Sequence, residues 1–297
     1  MDVRYPIVGR VIGSVGIVIF FVATWWLVWS GNVSIRYTAD HEGTIPIWNR
    51  WIPVLVGIIL IRFLLFRLVM HQPLSTLHKQ LLLIQTWALT IGALLFTTSL
   101  MLVDNKEEAE FQLWYVILKL VFLLVIPLAM FYISRFYHVE QSASIKSASS
   151  TRWHWFGPII IFGVWFYINF FSVYAVPYVS NDRVDIAMLA IALIVGFFIN
   201  SLLEEIFYRV WLQTRLEVLV GRWPAILFTS ILWASWHMVI QSTGATSVDL
   251  ASVIANQGVT GLFLGYLWSK YRNVWVLILI HGFINATPHL LMELVQM

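Results

Sequence analysis

The sequence contains no cysteine. Disulfide scaffolds, thiolate zinc sites and cysteine nucleophiles are excluded together. Charge is nearly as scarce. Asp, Glu, Lys and Arg make up 11% of the 297 residues, against roughly 25% in soluble domains. No dense basic stripe accompanies the net charge of +3, so nucleic acid is not an expected partner. No nucleotide-binding loop occurs, which leaves ATP-driven chemistry without support. What is abundant is apolar: 60% of residues, with mean hydropathy +0.82. A compact globule of this length cannot bury that much apolar surface, and a disordered chain does not carry it. The remaining class is an all-α polytopic membrane helical bundle.

A span needs about 20 mostly apolar residues. Nine segments qualify, at about 9–30, 51–70, 81–103, 111–134, 155–177, 184–203 with a continuation to about 216, 223–241, 251–268 and 273–292. The first is long, lacks an A-x-A-like site and precedes eight others, so it reads as a span and not as a signal peptide. With the N-terminus cytoplasmic, Arg4, Arg10, Arg62, Arg67, Lys79, Arg135, Lys146, Arg152, Arg209, Arg215, Arg222, Lys270 and Arg272 fall at inner ends, thirteen of the 18 basic residues. Arg36, Arg50, Lys106 and Arg183 fall outside, with the acidic residues Asp104, Glu107, Glu108, Glu110, Asp182 and Asp185. This is the asymmetry expected of a membrane protein. An eight-span count inverts half of these loops. Trp25, Trp26, Trp29, Trp48, Trp51, Trp153 and Trp155 sit at span ends, where indole rings anchor at the headgroups.

The polar stretch 141–150, Gln-Ser-Ala-Ser-Ile-Lys-Ser-Ala-Ser-Ser, reads as a linker. It divides a four-span accessory region, 1–150, from a five-span core, 151–297. No internal repeat with paired broken helices is visible, which speaks against a transporter. In the first part the one notable charge inside a span is Lys119, about eight residues in. It reads as a snorkelling or partly exposed lysine.

The second part carries the polar constellation. Glu204 and Glu205 follow an apolar helix, and two charges in hydrocarbon do not persist without partners or water. On an α-helix they point about 100° apart. Glu205 and Arg209 are spaced i,i+4 and can pair; Tyr208 has the same spacing from Glu204. This suggests that Arg209 holds Glu205 while Glu204 faces a cavity. His237 lies within the seventh span, and His281 and Asn285, again i,i+4, lie on one face of the ninth. If the sixth helix continues to about 216, Glu204 is about 18 Å from its inner end, His237 about 21 Å, His281 about 12 Å and Asn285 about 18 Å from theirs. The four residues can therefore meet, nearer the cytoplasmic side. A helix that ends at 203 spoils the match.

These residue types suit amide hydrolysis. A desolvated Glu204 with His237 can activate water, and His281 with Asn285 can donate to an oxyanion. Ser201, Ser230 and Ser235 are nucleophile candidates in principle, but no Gly-x-Ser-x-Gly elbow occurs. Zinc held by Glu204, His237 and His281 is an alternative, although His-Glu-x-x-His is absent.

At these residues the chain resembles the CAAX protease and bacteriocin-processing (CPBP, or Abi) family of intramembrane proteases, over roughly 155–292. The family pattern is Glu-Glu-x-x-x-Arg, Phe-x-x-x-His and His-x-x-x-Asn. Glu204, Glu205 and Arg209 complete the first motif, and His281 and Asn285 complete the third. The second departs: Trp233 replaces Phe ahead of His237. The resemblance implies a metal-independent glutamate protease with no cofactor. Glu204 and His237 would activate water, His281 and Asn285 would hold the oxyanion, and Glu205, Arg209, Tyr208 and Trp233 would support them. It also implies a membrane-associated peptide or protein substrate, lipidated or not, and a multi-pass protein of a prokaryotic cell membrane. Relatives linked to bacteriocin self-immunity supply a second reading, a nonproteolytic peptide-binding immunity protein. No oligomeric state is implied.

Overall fold

The computed structural model describes residues 4–38, 43–64, 74, 77–103, 108–136, 153–177 and 186–296. The expected linker at 141–150 lies outside the described residues, as do Arg67, Lys106, Lys146, Arg152, Arg183, Asp104, Glu107, Asp182 and Asp185.

Each of the nine apolar segments forms helix. In chain order they are α1 (Pro6–Trp29); α2 (Ile47–Phe63); α3 (Lys79–Met101); α4 (Glu108–Lys119), which runs through a π-helical stretch Leu120–Val125 into α5 (Ile126–Phe136); and α6 (Trp153–Phe171). The sixth begins as α7 (Ile186–Val195), passes through π-helical stretches Gly196–Leu202 and Glu205–Gln213, and ends as α8 (Thr214–Val220). Then follow α9 (Arg222–Ser235) with α10 (His237–Ile240); α11 (Thr246–Val253), π-helical Ile254–Gly258 and α12 (Val259–Tyr271); and α13 (Val274–Asn285) with α14 (Pro288–Gln296). Among the described residues six helices are long and apolar enough to cross a membrane, and Trp155–Phe171 and Val274–Asn285 are shorter apolar helices. The sixth runs unbroken over Ala187–Val220, so the continuation past Arg209 holds. The ninth differs from expectation. Ala286 turns extended (φ −126°, ψ 92°) ahead of Pro288, and α13 stops at 12 residues. That is about 18 Å of helix, short of a hydrocarbon core of about 30 Å. A residue that precedes proline is pushed away from helical backbone, and Thr287 is such a residue. The only strands among the described residues are Ser34–Arg36 (β1) and Thr44–Pro46 (β2), an antiparallel pair with Ile35 opposite Ile45.

The bundle is inverted relative to a soluble protein. Ile7, Ile17, Phe21 and Trp29 on α1 are exposed, while Gln85, Asn169, Glu204, Glu205, Arg209, Gln213 and Glu217 are buried. Apolar side chains turned outward with polar ones inward suit a hydrocarbon surround. Both parts of the chain share one core. Val54 and Ile61 of α2, with Leu89 and Phe96 of α3, join Phe207, Leu232, Phe263 and Leu277. Helices approach closely at small residues. A Cβ at Gly57 would meet the Phe263 ring at 2.5 Å, and one at Gly9 would meet the Val220 carbonyl oxygen at 2.3 Å.

The ends sort as the charge pattern requires. The Tyr5 amide donates to the Leu219 carbonyl at 2.7 Å, the Lys79 ammonium lies 4.0 Å over the Tyr5 ring, and Arg272 pairs with Glu217. Residues 5, 79, 219 and 272 thus share one end. At the other, the Tyr37 hydroxyl donates to the Pro177 carbonyl (2.9 Å) and the Trp51 indole to the Ala255 carbonyl (2.8 Å). Three of the basic residues used in that pattern are buried within the bundle, Arg209 and Arg215 read at inner ends and Arg50 read outside. Arg215 donates to Gln85 Oε1 at 3.0 Å and to the Trp211 carbonyl at 2.9 Å.

Candidate active site

Glu204 sits between the two π-helical stretches of the sixth helix, and Glu205 opens the second. A π-turn replaces i,i+4 hydrogen bonding by i,i+5 and widens the helix, and such turns gather at functional sites. The widening leaves Glu205 and Arg209 as partners, with Arg209 Nε 3.6 Å from Glu205 Oε2. Glu205 has a second partner: His281 Nδ1 is 2.9 Å from its Oε1. His281 is therefore tied to the glutamate, not paired with Asn285. Asn285, the last residue of α13, donates instead to Ser201 Oγ at 3.1 Å. It lies at the exposed rim while His281 is buried.

Glu204 is not free. It is buried; Lys119 Nζ donates to its Oε1, and Trp233 Nε1 donates to its Oε2. This corrects two expectations at once. Glu204 does not stand open to a cavity, and Lys119 does not snorkel. Lys119 is fully buried, donates also to Asn200 Oδ1 at 2.7 Å and to the Tyr115 hydroxyl, and lies 4.3 Å from the Tyr115 ring and 4.2 Å from the Trp236 ring.

Trp233 is the hub. Besides Glu204, its ring lies 5.0 Å from His237, 5.4 Å from His281 and 5.0 Å from the Arg209 guanidinium. A phenylalanine there could pack against all three but could not donate to the carboxylate. His237 opens α10 just past a break in the seventh helix at Trp236. Its Nδ1 is 3.0 Å from the Trp233 carbonyl, and Trp236 stacks on it at 3.7 Å. A carbonyl only accepts, so Nδ1 carries the hydrogen and a neutral ring leaves Nε2 as an acceptor. The same reasoning applied to His281 beside the Glu205 carboxylate also frees its Nε2. Tyr208 is buried with its ring 5.0 Å from Phe207, and its hydroxyl makes no hydrogen bond among the described residues.

The serine candidates find no histidine. Ser235 bonds back to the Leu232 carbonyl at 2.9 Å, and the Ser230 hydroxyl has no partner among the described residues. Nor do Glu204, His237 and His281 assemble as zinc ligands. Among the described residues no three His, Asp or Glu side chains are grouped to hold a metal ion, and both Glu204 oxygens face protein donors. The residues present do not fit the zinc alternative.

Sequence reasoning missed Lys119 as part of this cluster, with Tyr115, Asn200 and Trp236 around it. Charge balance was the available signal. Two adjacent glutamates inside a span with one arginine in reach demand a second cation, and Lys119 is the one basic residue that the charge pattern assigned neither to an inner end nor to an outer loop.

Residues 186–287 match the family model described as Rce1-like, type II CAAX prenyl endopeptidase Rce1-like. The match starts at α7 and ends just past α13, so α6, which falls within the 155–292 over which the motifs suggested resemblance, lies outside it. No curated protein and no solved structure matches the chain. The stretch holding Glu204, His237 and His281 thus matches an Rce1-like domain, in agreement with the CAAX (CPBP) protease resemblance of its motifs.

Proposed function

We propose that this integral membrane protein is an intramembrane endopeptidase that uses a glutamate-activated water, acting on a membrane-associated peptide or protein. The observation that carries the reading is the convergence of Glu204, His237, His281 and Arg209 on Trp233 within the family-matched segment. Glu204, with His237 Nε2 as a second acceptor, takes a proton from water, and the hydroxide attacks the scissile carbonyl carbon. The C–N bond then breaks as the proton passes to the leaving amine. His281, held through Nδ1 by Glu205, donates from Nε2 toward the oxyanion once it carries both ring protons, with Asn285 as the second donor when the rim closes on substrate. Glu205 and Arg209 orient His281, and Tyr208 and Trp233 wall the site. Neither a metal nor a cofactor has a step in this scheme. Residues 151–297 hold these groups, with 1–150 as a four-span accessory region and a cell membrane of a prokaryote as the setting.

The test is cleavage in proteoliposomes, using peptides that accumulate in cells carrying Glu204→Ala. Glu204→Ala, His237→Ala and His281→Ala should each cut kcat by about 100-fold or more without preventing insertion. Normal cleavage by all three overturns the reading. One observation favours the second reading, a nonproteolytic immunity protein: both Glu204 oxygens are engaged in the resting structure. Full protection of cells by Glu204→Gln would select it.

A further inference from the structure

We infer that Lys119 is a positioning residue of this site, a cation delivered by α4 that holds Glu204 as an oriented carboxylate. The inference rests on the protease reading above and deepens it: the matched segment does not complete its own active site. Glu205 has Arg209 and His281. From within 186–287, Glu204 receives only a neutral donor, Trp233 Nε1. The other cations of that segment are engaged elsewhere or lie at helix ends. Arg215 is on Gln85 and the Trp211 carbonyl, and Arg272 is on Glu217. Arg222 and Lys270 stand at the inner ends of α9 and α12. Among the described residues the one cation on Glu204 comes from α4, ahead of the matched segment.

The fit of the ammonium is complete. Lysine has three N–H donors, and here they meet three acceptors, Glu204 Oε1, Asn200 Oδ1 and the Tyr115 hydroxyl. The Tyr115 hydroxyl in turn donates to Asn200 Oδ1 at 2.9 Å. Trp236, one of the two rings against the ammonium, is also the ring stacked on His237. The cage that holds Lys119 therefore touches both groups assigned to take the proton from water. A carboxylate alone in a dry interior neutralises itself by binding a proton, and a neutral carboxyl is no base. With Lys119 in place each glutamate faces a cation of its own, Lys119 for Glu204 and Arg209 for Glu205.

The full-length protein in proteoliposomes tests this, with kcat and KM measured on one cleaved peptide and unfolding followed thermally. Lys119→Met should lower kcat by about 100-fold or more with KM little changed. Lys119→Arg, which keeps the charge, should recover at least about tenfold of that loss. Lys119→Met should also lower the melting temperature, and adding Glu204→Gln should restore it while the double variant stays inactive. A Lys119→Met protein with wild-type kcat overturns the inference and leaves the protease reading standing. So does a Lys119→Arg protein that folds but is no more active than Lys119→Met. If the wild type cleaves nothing, the positioning role falls with the protease reading, and the thermal rescue still reports the pairing of Lys119 with Glu204.

Discussion

The helix over Thr246–Tyr271 and the helix over Ala109–Arg135 are similar in length, at 26 and 27 residues, yet 78% of the apolar window of the first is buried and 17% of the second. One is the centre of the bundle and the other a peripheral helix turned mostly outward. The peripheral helix nonetheless supplies the buried ammonium at Glu204, while the central one supplies Phe263, Gly265 and Trp268 to packing. Average burial therefore says where a helix sits but not what it contributes. One inward side chain on a peripheral helix can matter more chemically than a whole central helix.

That contrast can be broken by substitution, with stability read as unfolding in lipid nanodiscs. Lys119→Met on the peripheral helix should cost about 3–5 kcal/mol, as much as any core truncation, since it strands a buried carboxylate. Phe263→Ala on the central helix should cost about 3–5 kcal/mol through a cavity. It should leave kcat closer to wild type than Lys119→Met does. Gly57→Val should cost about 1–3 kcal/mol, because its Cβ drives into the Phe263 ring. Phe21→Ala on the exposed face of α1 should move stability by no more than about 0.5 kcal/mol. If Lys119→Met proved as mild as Phe21→Ala, the peripheral helix would be no more than a lipid-facing spacer.

Much of the fold was legible because long apolar runs have one solution in a bilayer. All nine segments are helical, and Tyr5, Lys79 and Arg272 gather at one end as the basic pattern required. The Glu205–Arg209 pair was legible because it is local in sequence. Lys119 was not, because its partner is 85 residues away and the depth of a lone lysine fits snorkelling as well as pairing. The attachment of His281 to Glu205 was hidden for the same reason, at a separation of 76. The break after Asn285 was marked by Pro288, but the apolar run continued across it. Arg209 misled in the other direction. Counted as a marker of the inner face, it is a buried member of the site.

The π-helical stretches on either side of Glu204 have a consequence for how this helix tolerates length changes. A π-turn is an α-turn with one residue too many. Deleting one residue between Phe207 and Leu212 can be absorbed by tightening that stretch to α, so the helix stays continuous and inserted. The segments on either side would keep their phase, so Glu204 would stay toward Lys119. Arg209, inside the stretch, would lose its present offset from Glu205. The site is thus set by a count of residues as much as by their identity.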